Sequence, residues 1–226
     1  MDVAVGLGVA ALAAAFVVPA TIEWLKRPRL EIVPSPWAPA GPVAWTFAAV
    51  RIRNKPLTWP FHWLLTREAA QGLEVQIDFF TWSSGERAMS SVPGRWSSTP
   101  QPLRSVPSPP PQTAAQLAST GGTAVLDPNY QSFKSVYDPD LIRRQHDVPV
   151  TRGGEEVAVA ILRAGEAFAF TDSSYGHPAW GQPELRLQRG TYRVVVRVHG
   201  SSIDHTQAFK LEYLSDDFTS FRLEPA

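Results

Sequence analysis

The chain has no cysteine. That excludes disulfides, thiolate metal centres, cysteine nucleophiles and palmitoylation, and it suits a reducing compartment. An excess of charge of one sign is also missing, with 21 basic against 21 acidic residues, so nothing in the balance attracts nucleic acid. Neither Asn54 nor Asn129 heads a glycosylation sequon. The five histidines never recur at the spacing of three to five that a helical metal site needs. The pairs Gly121-Gly122 and Gly153-Gly154 lack the lysine and following helix of a phosphate loop, and Asp138-x-Asp140 lacks the glycine and distal glutamate of a calcium loop. No catalytic, cofactor or metal motif is present, and no cofactor is expected.

One long apolar run is present. Val3 to Ile22 carries no charge, and Glu23, Trp24, Lys26, Arg27 and Arg29 follow it at once. As a helix it spans roughly 30 Å, about the thickness of a bilayer's hydrocarbon core. Residues 1–29 are therefore expected to be a single transmembrane helix with a basic end, making the lipid bilayer the first partner. The basic flank favours an outside amino terminus and a soluble part in the cytoplasm. The competing readings are the opposite orientation and a cleaved signal ending at Val18-Pro19-Ala20, although the basic n-region of such a signal is missing. Gly6, Ala10 and Ala14 recur at spacing four, a small-residue face for pairing helices into a homo-oligomer.

Residues 30–226 read as mainly β. Leu73, Val75, Ile77 and Phe79 alternate with polar neighbours, as do Tyr192 to Val198 and Phe209 to Tyr213. Weaker strands are expected at Leu30 to Val33, Ala44 to Arg53, Glu156 to Arg163, Ala167 to Thr171 and Phe218 to Leu223. In the second of these, Trp45 and Phe47 share the parity of Arg51 and Arg53. Either a bulge near Ala48-Ala49 swaps the faces, or that end is covered on both sides. The stretch Arg51-Ile52-Arg53-Asn54 closing one strand, with Gly190-x-Tyr192-x-Val194-x-Val196 opening a late one, resembles immunoglobulin-like sandwiches. The resemblance implies an antiparallel immunoglobulin-like β-sandwich and no particular function.

Two inserts break the pattern. About residues 97–122 are rich in Pro, Ser, Gln and Thr and are expected to be an extended, mobile segment, with Pro107 to Pro110 fitting a P-x-x-P ligand. Near 138–145, Asp138 before Pro139 predicts a short helix with an acidic cap.

Chemistry can be sought in a few constellations. His146, Asp172, His177 and His205 are the candidates for a loop-assembled hydrolase or metal site, and Ser173-Ser174 sits near two of them without a nucleophile-elbow motif. Trp82, Trp96 and Trp180 are candidate platforms for a carbohydrate or other ligand. The densest apolar segment contains Trp59, Phe61, Trp63 and Leu64, placed to pack on the core, enter the bilayer interface or contact a partner. The favoured expectation is a non-catalytic, membrane-anchored module that binds a protein partner.

Overall fold

The computed structural model describes residues 17–35, 45–58, 65–108, 132–151, 153–200 and 203–226. Gly6, Ala10 and Ala14, and the aromatic segment with Trp59, Phe61, Trp63 and Leu64, lie outside the described residues. Helix α1 covers residues 17–26, the end of the apolar run and its charged tip. No helix among the described residues is long and apolar enough to cross a membrane, and residues 3–16 of the run are not among them. Val17, Val18 and Trp24 on α1 are exposed.

The remainder is mainly β. In chain order the strands are β1 (Leu30–Ser35), β2 (Trp45–Asn54), β3 (Ala70–Thr81), β4 (Val92–Pro93), β5 (Arg95–Trp96), β6 (Leu103–Ser108), β7 (Ser132–Tyr137), β8 (His146–Val148), β9 (Glu155–Arg163), β10 (Glu166–Ala169), β11 (Arg186–Leu187), β12 (Gly190–Gly200), β13 (Ile203–Tyr213) and β14 (Arg222–Pro225). One antiparallel sheet runs β1-β2-β9-β10-β11, with β5 also on β9. The other runs β14-β13-β12-β3-β4, with β8 also on β3.

The alternation in the sequence decides what each sheet buries. Leu73, Val75, Ile77 and Phe79 from β3, Val194 to Val198 from β12 and Phe209 and Leu211 from β13 meet Val50, Ile52, Val157 and Leu162 of the other sheet in one core, consistent with a β-sandwich. Burying a side chain of this size removes about 1.5–3 kcal/mol of unfavourable hydration, so these five strands anchor the fold.

The register between β2 and β9 does shift near Ala48-Ala49, with Ala48 opposite Ala160 and Ala49 opposite Ala158. The extra residue is therefore Val159 on β9, not a residue of β2. The faces of β2 do not swap: Ala48, Val50 and Ile52 share the core side throughout. It is β9 whose inward parity changes, from Val157 and Val159 to Ala160 and Leu162. Trp45 and Phe47 stay on the arginines' side, where Phe47 packs edge-on against Phe170 with centroids 4.8 Å apart.

Between β4 and β5 the chain passes from one sheet to the other at Gly94. A Cβ at that position would lie 2.7 Å from Val75 Cγ1 and 3.0 Å from Val157 Cγ1, so only glycine lets the backbone through.

The chain divides into two compact units, the sandwich and a smaller one built from residues 100–142 and 172–182. In the smaller unit β6 pairs with β7 from Leu103↔Tyr137 to Ser108↔Ser132. Part of the proline-rich stretch is thus a regular strand, because its ladder bonds are satisfied by β7 and its residues before Pro107 include β-compatible Leu103 and Val106. Residues 109–131 lie outside the described residues. The expected short helix is a single 3-10 turn, Pro139–Leu141, whose cap Asp138 accepts from the Asp140 N–H at 3.1 Å. The strand expected from Phe218 begins only at Arg222, after a 3-10 turn at Phe218–Ser220 capped by Asp217.

Candidate functional site

A cleft of about 590 Å³ lies at one end of the sandwich. The turn after β3, the Ala88-Met89 segment and the run from Arg186 to Tyr192 form its walls. Trp82 reaches it because the strand of β3 stops at Thr81 in a tight turn, where Gly85 N–H bonds the Thr81 carbonyl at 2.8 Å. The Trp82 backbone N–H is fixed to the Thr191 carbonyl at 3.0 Å, while the residue is 47% exposed. That combination of a held backbone and an open ring presents a rigid apolar surface. The Lys210 ammonium lies 5.9 Å from the ring centroid.

Charges on the cleft wall are paired with neighbours. Arg186 Nη2 is 2.5 Å from Glu166 Oε1, and Arg189 Nη2 donates to both oxygens of Asp216 at 2.6 Å. Asp216, and after it Tyr213, hold the Arg189 guanidinium above its ordinary value. The Tyr192 hydroxyl donates to the Gln188 carbonyl at 2.6 Å, and burial pushes its phenol up, so it stays neutral. Such a wall is suited to hold an apolar or planar group, and it offers no nucleophile beside a general base.

A second, shallower groove of about 460 Å³ is lined by Arg51, Ser97, Ser98 and Gly153 to Glu156. Beside it, Ser98 Oγ lies 3.3 Å from His146 Nε2, and Glu155 Oε2 lies 3.8 Å from the same nitrogen. A serine relay needs the hydroxyl on one ring nitrogen and the carboxylate on the other, so that the carboxylate orients the base. Here the carboxylate and the hydroxyl meet one nitrogen and compete for it. The imidazole is held instead by the Trp96 ring, with centroids 4.9 Å apart.

The residues of the constellations expected from sequence belong to different elements. His146 on β8 and His205 on β13 are separated by β3 and β12. Three interstrand steps of about 4.8 Å put them roughly 14 Å apart, beyond any shared hydrogen bond. Asp172 and His177 belong to the smaller unit, and no group of three metal-ligating side chains occurs among the described residues. In that unit Ser173 Oγ donates to Gln182 at 2.8 Å. Of the three tryptophans, Trp96 is a core residue, 1% exposed, with its indole N–H on the Arg144 carbonyl. It is no platform, because β5 faces inward against β9 at Val157. Trp180 lies in the smaller unit, edge-on to Tyr175. Trp82 alone lines the cleft.

Of the Ser98, His146 and Glu155 cluster the sequence singled out only His146, and the wall from Arg186 to Tyr192 had no sequence signal. Their members are brought together by strand pairing across many residues. Comparison with family models, curated proteins and solved structures finds no match to this chain.

Proposed function

We propose that this chain is a non-catalytic binding module: an immunoglobulin-like β-sandwich carried on a single N-terminal membrane-spanning helix, facing the cytoplasm, that docks a protein partner through its Trp82 cleft. The observation that supports it most is the cleft itself. A half-exposed tryptophan stands on a fixed turn, among charges that already pair with one another. Exposed aromatic anchors surrounded by satisfied polar groups are the usual core of a docking site. Trp59, Phe61, Trp63 and Leu64 are further partner or membrane-interface contacts under this proposal, and Gly6, Ala10 and Ala14 the helix-pairing face.

A photo-crosslinking residue placed at Trp82 in the full chain, in native membranes, tests the docking. A discrete adduct is expected there, lost when Met89→Arg blocks the cleft, and missing when the crosslinker replaces exposed Leu214. Equal labelling from both positions, or none from Trp82, rules the docking site out. Protease treatment of intact cells checks the orientation, since digestion of the sandwich from outside contradicts a cytoplasmic domain.

Small-ligand binding is the second reading, favoured by the cleft volume. About 590 Å³ falls within the range of roughly 300–1,000 Å³ typical of ligand sites. Saturable quenching of Trp82 fluorescence by a sugar or other small molecule would select it.

A further inference from the structure

Where α1 meets the sandwich, Asn54 is fully buried and uses both ends of its amide. Its Oδ1 accepts from the Arg29 backbone N–H at 3.2 Å, and its Nδ2 donates to the Glu68 carbonyl at 2.8 Å. The Glu68 N–H in turn donates to the Lys26 carbonyl at 2.9 Å. These bonds hold the chain leaving α1 against the loop that precedes β3, and so bring Arg67 near Arg29.

Arg67 is only 9% exposed, and its Nε and Nη1 are buried without a hydrogen-bond partner. Burial, and then the like charge of Arg29, push its guanidinium below the ordinary arginine range. Among the described residues no carboxylate pairs with either arginine. Glu23 lies against Lys26 at 3.6 Å and Glu31 against Lys55 at 2.9 Å. The Arg29 guanidinium stacks over the Trp24 ring instead, 4.4 Å from its centroid. A guanidinium keeps its proton at neutral pH, so among the described residues Arg67 is a buried cation without a counter-charge.

We propose that Arg67 and Arg29 form a binding site for a phosphate group. Two planar donor forks match an anion with several oxygens, which one chloride cannot satisfy. The site directly follows the apolar run and sits within its basic flank, where either a phospholipid headgroup or free phosphate would reach it. The site stands on the Asn54-held geometry and does not depend on the docking role of the Trp82 cleft or on the span.

The test uses the full chain in an uncharged detergent. Thermal unfolding is followed with inorganic phosphate, with a short-chain phosphatidylglycerol, and with sodium chloride at matched ionic strength. At about a hundredfold excess over the Kd, a phosphate source should raise the midpoint by roughly 5 °C over chloride. Arg67→Gln and Arg29→Gln should each remove that increment, while Arg104→Gln, which breaks the pair with Asp138, should keep it. A response to phosphatidylglycerol alone assigns the site to a lipid headgroup, and a response to both assigns it to phosphate in general. If Arg67→Gln does not fold, Arg29→Gln on the exposed residue decides. No rise over chloride in the wild type, or an undiminished rise in the variants that fold, overturns the site. Because detergent replaces the bilayer, failure of the span would show only in flotation with vesicles and would leave this result standing.

Discussion

The Tyr213 hydroxyl donates a 2.7 Å hydrogen bond to the Gly165 carbonyl, tying β13 of one sheet to the β9–β10 turn of the other. Tyr213 is 4% exposed and its bond to the turn is half-buried. Removing the hydroxyl alone, with Tyr213→Phe, leaves a half-buried carbonyl short of a partner. Stability should fall by about 1–2 kcal/mol with the fold unchanged, as measured by urea unfolding with an unaltered m-value. A loss near zero would mean that the turn relaxes into solvent.

The same turn carries an avoidable strain. Ala164 and Gly165 both have positive φ, at 49° and 79°, the geometry of a two-residue hairpin turn that favours Asn-Gly. Ala164 is exposed, so a polar side chain costs nothing there. Ala164→Asn should stabilise the protein by about 0.5–1 kcal/mol, seen as a higher denaturation midpoint.

Gly94 should tolerate no side chain. The Cβ of Gly94→Ala would meet stiff, branched Val75 and Val157 at a point where both sheets close in. Overpacking of this kind costs about 1–3 kcal/mol or more. Combining it with Val75→Ala should recover part of the loss, since the double variant reopens the space. Strict additivity of the two losses would argue against the contact.

Acid should destabilise the sandwich through three carboxyl groups. Burial raises the Glu156 carboxyl, but hydrogen bonds from Arg51 and Ser35 and the Arg51 charge outweigh it, leaving the group below its ordinary range. Lys210 and Arg222 lower Glu212, and Thr219 lowers Asp217. Each folded value lies beneath the unfolded one, so the native state binds fewer protons. Their contribution is complete above the unfolded carboxyl range, about pH 4–5, and is lost as pH falls through the folded values. Arg51 and Glu156 stand opposite each other on β2 and β9, 2.6 Å apart. Wild type should therefore exceed Glu156→Gln in unfolding free energy at pH 7, with the gap closing below about pH 4. A gap independent of pH would remove the ion pair as its cause.

The alternation of Leu73 to Phe79, Tyr192 to Val198 and Phe209 to Tyr213 was enough to read a β protein, because a period of two leaves each strand one apolar face and that face has to be buried. Turn and cap chemistry was equally local: Asp138 before Pro139 specifies a capped turn in a few bonds, whatever the rest does. Position of the bulge was not legible. Ala48 and Ala49 flagged an irregularity, yet the extra residue belongs to the partner strand, and only pairing decides which strand carries it.

The sites lie at the same boundary. Nothing near Ser98 in the chain foretells His146 or Glu155, and nothing near Trp82 foretells the wall from Arg186 to Tyr192. Arg67 looks like any loop arginine until the fold buries it beside the bonds by which Asn54 holds Arg29 and Glu68. The sequence alone determined the apolar run, its charged flank and the β character, since each follows from transfer free energy and periodicity among neighbours. The tertiary structure decided which charges are paired, which tryptophan stays open and which cation lacks a partner. Those depend on residues distant in the chain meeting at fixed separations, and the strength of charge and burial is set by that separation.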